Sequence, residues 1–453
     1  MHPAAVLNGA LDGAGTFGMI PAKQSGNIMI KNIVAGLLAS VAIAGAASPA
    51  SAETVVVTAD HMVDVLSGKT VDYPAVFITD GRITSVADAR TVKWGKDVKH
   101  IDLSGQTILP GLIDMHVHLD SNPLYGGYSG LRFTDAFWAV QGVANARAML
   151  EAGFTTVRNV GSENYADVAY KQAIEEGLMV GPRIVAAAHA LGATGGHCDS
   201  TYLPPSFKAK GVAVGDGPQE LRSRVREQRK YGAEVIKVCA TGGVFSRNTE
   251  PGQQQLSEDE LRAIAEEAHL WGLRVAAHAH GGAGIKAAIR AGIDTIEHAS
   301  LIDDEGIRLA KERGTWLSMD IFNTEYTQAE GAKNGVLEDN LRKDREIAQI
   351  QRDNFRKAHV AGVKMVFGSD AGVMPHGTAA GQLRIMVDYG MTPLDAIRAA
   401  TRNAAEALAR TADVGAVAVG RYGDIVAVTG DPLANVRLLE KPSAVIKGGV
   451  RIK

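Results

Sequence analysis

Two closely spaced histidine pairs are the residues of this chain best suited to metal chemistry. His116 and His118 end one short apolar run, and His278 and His280 end another. Because successive side chains of a strand point to opposite faces, the two members of each pair share a face. Adjacent imidazoles on one face suit a transition metal. For either pair alone, two ordinary histidines on a half-buried strand are the competing interpretation.

Three other apolar runs carry one further candidate ligand each: Lys237, His298 and Asp370. Imidazole nitrogen and carboxylate oxygen bind Zn²⁺, Co²⁺ or Mn²⁺ well. A protonated lysine repels a cation, and a buried one needs a compensating partner. An ion pair with a neighbouring carboxylate is the ordinary explanation for Lys237. Polar residues at so many separate run ends are hard to explain by packing alone.

The runs that carry these residues are short, rich in β-branched residues and separated by helical stretches. That alternation predicts a parallel sheet and an α/β fold. In a (β/α)₈ TIM barrel, functional residues lie where the strands end, at the carboxyl-terminal face. We therefore predict such a barrel over residues 110–412, with the candidate ligands at its mouth.

Both ends of the chain have the pattern of β-strands. Residues 53–109 contain strand patterns around an Asp80-Gly81 turn, and residues 413–453 contain two more. The simplest arrangement is one small β-sandwich domain built from both termini, with the barrel between them. A net charge of −3 and an even mixture of charges argue against nucleic acid or a membrane surface as partners.

Residues 1–52 have the pattern of an export segment. A lysine precedes an apolar stretch over 33–47, and Ala50-Ser51-Ala52 follows as a small-residue cleavage triplet. This combination is typical of a secretory signal peptide and is too short for a membrane span. A start at Met29 fits this segment best, so we expect a periplasmic or secreted protein cleaved after Ala52. A buried alanine-rich helix is the competing interpretation.

The chain contains two cysteines, Cys198 and Cys239, from which no disulfide framework can be inferred. Cys239 lies two residues after Lys237 and shares its strand face. We interpret Cys239 as an apolar filler of the barrel interior.

The order His-x-His, strand lysine, histidine, histidine and aspartate resembles the metal-dependent amidohydrolase superfamily. Longer motifs resemble its imidazolonepropionase-like branch, which contains Xaa-Pro and Xaa-Arg/Lys dipeptidases and ochratoxin-hydrolysing amidohydrolases. These motifs are Thr194-Gly195-Gly196-His197, the run from Val235 to Val244, Gln255-Leu256-Ser257-Glu258-Asp259-Glu260 and Val275-Ala276-Ala277-His278-Ala279-His280-Gly281. The resemblance covers nearly everything after residue 53. His189 departs from it, because most of the branch has a non-ionisable residue there, and this leaves the substrate open.

The resemblance implies two divalent metal ions, with Zn²⁺ as the expected metal, and a carbamylated Lys237 as the ligand that bridges them. The implied ligands of the first ion are His116, His118 and Asp370, and those of the second are His278 and His298. His280 shares the face of His278 and is the alternative ligand on that strand. Two such ions acidify a water and polarise a carbonyl oxygen. Asp370 can also accept a proton during attack and pass it to the leaving amine.

Six residues are candidate substrate-binding groups, each with a competing interpretation. They are His189, His197, His280, Arg247, Tyr125 and Tyr128. An arginine can hold a carboxylate through two hydrogen bonds, but exposed arginines are common. A loop histidine is often only solvated, and His189 is as consistent with core packing as with a binding site.

Together the residues and the resemblance predict a binuclear hydrolase that releases a C-terminal amino acid from dipeptides or N-acyl amino acids. Ochratoxin A, cleaved to phenylalanine and ochratoxin alpha, is among the expected substrates. The alternative is a cyclic amidase or an imidazolonepropionase- or deaminase-type hydrolase, because the same activated water attacks ring carbons.

A binding protein with a structural metal is a third interpretation, although structural sites are closed by protein ligands and these ligands lie at a barrel mouth. No Gly-x-Ser-x-Gly motif indicates a serine nucleophile. The expected partners are a small-molecule or dipeptide substrate and further copies of the chain. The resemblance implies a homo-oligomer, and an octamer is among the assemblies that it suggests.

Overall fold

The computed structural model describes residues 53–453, in which strands and α-helices are joined by loops and short 3₁₀ turns. The strands are β1 (Thr54–Asp64), β2 (Lys69–Asp72), β3 (Pro74–Thr79), β4 (Arg82–Asp88), β5 (Lys99–Pro110), β6 (Leu112–Val117), β7 (Phe154–Asn159), β8 (Arg183–Ala186), β9 (Val235–Cys239), β10 (Arg274–Gly281), β11 (Thr295–Leu301), β12 (Trp316–Ser318), β13 (Met365–Val366), β14 (Ile425–Thr429), β15 (Ala444–Lys447) and β16 (Val450–Arg451). The helices are α1 (Asp135–Glu151), α2 (Ala166–Glu175), α3 (Pro218–Lys230), α4 (Glu258–Leu270), α5 (Gly282–Ala291), α6 (Asp304–Arg313), α7 (Asn323–Glu330), α8 (Glu338–Val360), α9 (Gly381–Asp388), α10 (Pro393–Ala399) and α11 (Arg402–Ala407).

Strands β6 to β13 form a closed barrel. They are parallel and lie in two arcs, β6-β7-β8 and β9-β10-β11-β12-β13. Backbone hydrogen bonds join the arcs at both seams. The Leu191 amide donates to the Lys237 carbonyl at 2.8 Å, and the Met115 amide donates to the Phe367 carbonyl at 2.9 Å. With helices between successive strands, the chain has the predicted (β/α)₈ TIM-barrel fold.

The barrel strands are buried on both faces, which is why their sequences are nearly continuous apolar runs. Every residue of β6, β7 and β9 is buried. The helices that cover the strands are amphipathic, as α4 illustrates. A capping box between Ser257 and Glu260 starts α4, and its apolar buried residues recur at helical spacing: Leu261, Ile264, Ala265 and Ala268. All eight strands therefore end at one rim, where the loops that carry function gather.

The strands from the two chain ends form one eight-stranded sheet in the order β16-β15-β14-β5-β1-β3-β4, with β2 paired to β1. β14 joins the ends by pairing antiparallel with β5, where Val426 lies opposite Leu109. Buried residues from both ends, among them Val57 and Ile446, form the apolar core of this domain. The predicted small β domain built from both termini is confirmed.

The predicted export segment, residues 1–52, lies outside the described residues. Within residues 53–453, no helix is both long enough and apolar enough to cross a membrane.

Cys198 and Cys239 form a disulfide, with their Cα atoms 5.8 Å apart. The loop after β8 runs beside the end of β9, where Leu191 pairs with Val238, and this path brings the two cysteines together. The interpretation of Cys239 as an apolar filler is therefore wrong. The cysteines are 41 residues apart, and only the path of the loop reveals their pairing.

Breaking this disulfide is expected to lower the free energy of unfolding by about 2–4 kcal/mol, because a cross-link over a long loop restricts the unfolded chain. Urea unfolding of oxidised and reduced protein measures the difference. The double variant C198S/C239S is the matched control and should behave like the reduced protein under both conditions. Equal urea midpoints for oxidised and reduced wild type would contradict a stabilising disulfide.

Candidate metal centre

A cavity of about 440 Å³ opens at the carboxyl-terminal ends of the barrel strands. All six predicted metal ligands line it: His116, His118, Lys237, His278, His298 and Asp370. Three of the predicted substrate-binding residues also line it: His189, His197 and His280. Barrel closure thus brings residues from five strand ends to one space.

The first group of potential metal donors consists of His116, His118 and Asp370. The Nε2 atoms of His116 and His118 lie 3.4 Å and 3.6 Å from Oδ1 of Asp370. Each histidine uses its other ring nitrogen in a hydrogen bond. Nδ1 of His116 lies 3.0 Å from Glu297 Oε2, and Nδ1 of His118 lies 3.1 Å from the Gly161 carbonyl. Because Nδ1 donates to these acceptors, each Nε2 is left free to bind a cation.

His298 belongs to the other two groups of potential donors. Its Nδ1 lies 2.9 Å from Asp320 Oδ1, so its Nε2 is also free. The Gln351 side-chain amide donates to the His298 carbonyl at 3.0 Å and to Asp320 Oδ1 at 2.9 Å. These two hydrogen bonds hold His298 and Asp320 in place. Donor atoms of His298, Asp320 and Asp370 lie close enough together to share an ion, so Asp370 links this group to the first.

His278 and His280 each offer one free ring nitrogen from β10. Nε2 of His278 donates to the Gly242 carbonyl at 3.1 Å, which leaves Nδ1 free. Nδ1 of His280 lies 2.8 Å from Ser300 Oγ, which leaves Nε2 free. Together with His298, both belong to one potential donor group. The ring of His280 stacks on that of His298 at 4.5 Å, so both members of the pair face the cavity.

Lys237 is buried beside these donors. Among residues 53–453, its Nζ has no carboxylate within 4.0 Å, and Glu297 pairs instead with Arg158 and His116. Burial lowers the pKa of Lys237 to about 8, against the opposing effect of the Glu297 and Asp370 charges. An amine with a lowered pKa is more often unprotonated, and only the unprotonated amine can react with carbon dioxide.

The protonation of most of the histidines at the centre suits metal binding. Burial and the nearby Lys237 lower the pKa of His118 to about 3. Burial also lowers the pKa values of His116 and His278 well below the usual value. A neutral imidazole is the form that binds a metal ion. The neutral nitrogens of these three histidines, one carboxylate and a lysine form a donor set that fits divalent transition metals. Against the effect of burial, the Asp320 charge raises the pKa of His298.

Asp370 and His298 hold their side chains on unusual backbone. Their φ angles are +57° and +70°, in the left-handed region that non-glycine residues rarely adopt. Strained backbone of this kind is found at functional sites, where the surrounding fold enforces it. Burial and the Asp320 charge raise the pKa of Asp370 to about 7. A carboxyl group with that pKa can both accept and release a proton near neutral pH.

The sequence reasoning missed a buried network beneath the donors. Arg158, fully buried on β7, donates to the Met115 carbonyl and to Glu297 Oε1, both at 2.6 Å. Burial opposes ionisation of Glu297, but Arg158 and His116 lower its pKa below the usual range, so it is a carboxylate. Arg158 thus fixes Glu297, and Glu297 fixes His116. A charged residue inside an apolar strand was the available indication, because such residues are rarely buried without a partner.

His197 and His189 both lie in the cavity wall, each among different neighbours. The His197 ring stacks on His278 at 4.1 Å, and its Nδ1 lies 2.9 Å from Ser246 Oγ. His189 is buried, with Nδ1 3.7 Å from Glu163 Oε2, and its ring meets the edge of Tyr165. Both side chains are placed where they can contact a molecule bound beside the donors.

The other three substrate candidates lie away from the donors. Arg247 and Tyr128 line a separate outer cavity, where Arg247 Nη1 donates to Tyr128 Oη at 2.5 Å. The ring of Tyr125 packs in an aromatic cluster with Phe133, Phe137 and Trp138. Neither the outer cavity nor the cluster contains a residue of the three donor groups.

Known proteins resemble this chain over most of its length. The amidohydrolase family model matches residues 107–452. An ochratoxinase from Aspergillus niger is 34% identical over 368 residues, which cover 76% of this chain and 75% of the relative. The crystal structure of a Xaa-Pro dipeptidase with methionine bound in its active site has a TM-score of 0.82 and 32% identity, and covers 88% of this chain and 99% of its own. That of the A. niger ochratoxinase has a TM-score of 0.79 and 30% identity, and covers 88% of this chain and 95% of its own.

Proposed function

This chain belongs to the amidohydrolase family and is a hydrolase that acts on amide bonds, and on that premise we propose a binuclear, metal-dependent release of a C-terminal amino acid. The substrates in this proposal are dipeptides and N-acyl amino acids. The observation that carries it is Lys237, which lines the same cavity as the potential metal donors, is buried there and has no ion-pair partner among residues 53–453.

His116, His118 and Asp370 would hold the proposed first ion, and His278 and His298 would hold the second. Carbamylated Lys237 would be the ligand that both ions share. The metals, most simply Zn²⁺, supply Lewis-acid activation of a water and of the scissile carbonyl when bound. Glu297 and Asp320 hold the imidazoles of His116 and His298 in the orientation that such binding needs.

Asp370 is the proposed proton carrier. It accepts a proton from the attacking water and releases it to the amine of the departing amino acid. Its Oδ1 lies near Nε2 of both His116 and His118. Asn323 Nδ2 donates to its other oxygen at 3.4 Å. Asn323 thereby leaves one oxygen of Asp370 directed towards the donors. Asp370, which receives the proton, and Asn323, which orients Asp370, are thus neighbours in the buried part of the site.

The relatives support the class of substrate. One is an ochratoxinase, and another is a Xaa-Pro dipeptidase with methionine in its active site. In dipeptides and in ochratoxin A alike, an amide joins an acyl group to an amino acid that carries a free carboxylate. We therefore propose ochratoxin A, cleaved to phenylalanine and ochratoxin alpha, as one substrate among N-acyl amino acids with apolar C-terminal residues.

The test of this function combines metal analysis with a substrate screen. Chelation should abolish hydrolysis of N-acyl amino acids, and Zn²⁺ with bicarbonate should restore it, with two ions bound per chain. Hydrolysis of cyclic amides at the expense of N-acyl amino acids would favour the cyclic-amidase alternative. A single ion per chain at full activity would contradict the binuclear mechanism.

His197 is the proposed partner of the substrate carboxylate, and H197F is expected to remove the preference for free acids. Amidating the substrate carboxylate should lower kcat/KM of the wild type. The expected change corresponds to about 1.5–3 kcal/mol in activation free energy, the range for a hydrogen bond to a charged group. Phenylalanine keeps the ring stacked on His278 but cannot donate a hydrogen bond. Comparing kcat/KM for free-acid and amidated substrates in both proteins measures how much His197 contributes to recognition of the carboxylate.

R247A is the matched control for H197F, because Arg247 lines the outer cavity. It should keep the full difference between free-acid and amidated substrates. If R247A loses that difference and H197F keeps it, Arg247 and not His197 recognises the substrate carboxylate. Equal turnover of both substrates by wild type would remove carboxylate recognition from the proposal altogether.

We also propose that the protein is exported and works as a homo-oligomer. The cleavage triplet at Ala50-Ser51-Ala52 and the disulfide between Cys198 and Cys239 both suit an oxidising compartment. Amino-terminal sequencing of the mature protein should begin at or near Glu53. An uncleaved protein retained in the cytoplasm would contradict export.

A further inference from the structure

A smaller cavity of about 200 Å³ opens beside the metal centre, and we name it the side chamber. Its walls include Pro123, Phe245, Tyr326, Thr327, Val336 and Val373. His118, Ser121, Phe245 and Val373 line both the side chamber and the main cavity. The two spaces therefore adjoin at His118, and a molecule bound at the donors can extend into the side chamber.

The walls of the side chamber suit an apolar group. Its aromatic and aliphatic walls carry no acidic or basic side chain other than His118, among the residues described. Two of its polar side chains already have partners. Asn122 accepts a hydrogen bond from the Leu124 amide at 2.9 Å, and Tyr326 Oη accepts one from Asn334 Nδ2 at 3.1 Å. An apolar group bound there would leave water for a largely apolar surface.

The side chamber lies on the Asp370 side of the centre. Gly372 and Val373, which line it, follow Asp370 directly in the chain. Gly372 has φ +124°, and a Cβ at that position would lie 3.0 Å from the Cβ and the carbonyl oxygen of His118. Glycine thus allows the segment after β13 to lie against His118, and this contact forms the edge between the side chamber and the main cavity.

The chemistry of the proposed reaction fixes which part of the substrate lies on that side. A proton passes from Asp370 to the departing amine only if that nitrogen is within hydrogen-bond reach of the carboxyl group. The side chain of the departing residue is attached one carbon away from the nitrogen. It must therefore lie close to Asp370, and the adjoining side chamber is the apolar space available to it.

We propose that the side chamber is the subsite for the side chain of the departing amino acid, and that it selects apolar residues, including phenylalanine. The proposal rests on the proposed function. The size agrees with it, since a dry apolar cavity of about 150 Å³ accommodates benzene. The side chamber, at about 200 Å³, accommodates a benzyl group or a branched aliphatic side chain.

Val336 is the residue with which to test this subsite. It is half-buried, belongs to none of the donor groups, and lies in the segment between α7 and α8. V336F fills the side chamber and should lower kcat/KM for N-acetyl-phenylalanine at least ~10-fold, with little change for N-acetyl-alanine. V336A cannot clash and should shift the preference towards N-acetyl-tryptophan. V140F, at an exposed valine of α1, is the control for adding a phenylalanine.

The side chamber is also tested without turnover, by calorimetry with the metal-loaded protein. Wild type should bind L-phenylalanine more tightly than L-alanine, and V336F should lose that difference. If wild type hydrolyses no N-acyl amino acid but shows this binding pattern, the proposed function fails, while the side chamber remains a binding site for an apolar amino-acid side chain. If V336F lowers hydrolysis equally for both substrates, or if its effect follows the acyl group, the subsite assignment is overturned. Equal binding of both amino acids by wild type would also overturn it.

Discussion

Replacing Asp370 with asparagine is expected to lower kcat by about 10²–10⁴-fold, the usual contribution of a positioned proton-transfer group. The substitution keeps the size of the side chain but removes its ability to accept and release a proton. Asparagine is also a weaker cation ligand, and Oδ1 of Asp370 lies within 3.6 Å of Nε2 of both His116 and His118. Steady-state kinetics at saturating Zn²⁺, with metal content measured on the same samples, separates lost proton transfer from lost metal.

D303N is the matched control for D370N. Asp303 caps α6 by accepting a hydrogen bond from the Gly306 amide at 2.8 Å, and it pairs with Lys286 outside the cavity. Because asparagine also caps helices well, D303N should keep wild-type kcat and metal content. A D370N enzyme that retains both metals and turns over within a few-fold of wild type would contradict the proposed proton transfer.

Replacing Lys237 with methionine is expected to remove bound metal and to lower activity by at least ~10²-fold. Losing even the residues that orient metal ligands costs 10–100-fold in metal affinity or activity, and Lys237 is proposed as a ligand itself. Methionine fills the same buried volume but cannot form a carbamate. The same mechanism makes reconstitution of metal-free wild type dependent on bicarbonate. Zn²⁺ alone in carbon dioxide-free buffer should restore little activity, and added bicarbonate should restore the rest.

Lys343 is a second buried lysine, and its variant K343M is the control for replacing Lys237. Lys343 Nζ donates to the Ser246 carbonyl at 2.8 Å and pairs with Asp339 at 2.9 Å, so its charge is already satisfied. K343M should lose stability but should still need bicarbonate for reconstitution. Wild type that recovers full activity with Zn²⁺ in the absence of carbon dioxide would contradict carbamylation. Lys237 would then need another compensating partner.

The sequence alone predicted the fold and the residues that meet at the barrel mouth. Short apolar runs that alternate with amphipathic helices specify parallel strands buried on both faces. The alternation of side chains along a strand places His116 and His118 on one face, and barrel topology places all strand ends at one rim. These are local properties, and they are readable within windows of a few residues.

Other features of the site follow only from the path of the chain in three dimensions. His116 and Glu297 are 181 residues apart, yet their side chains lie 3.0 Å apart in the barrel interior. The disulfide of Cys198 and Cys239 depends on the course of one loop. The positive φ of Asp370 is likewise enforced by its surroundings.

The side chamber and the pairing of Arg158 with Glu297 have the same origin. Each forms where segments distant in sequence are pressed together by closure of the barrel. Periodicity reports which face a residue occupies and where a strand ends, because both depend on neighbours in the chain. It does not report which distant side chain will fill the space opposite, because close packing of the whole interior decides that.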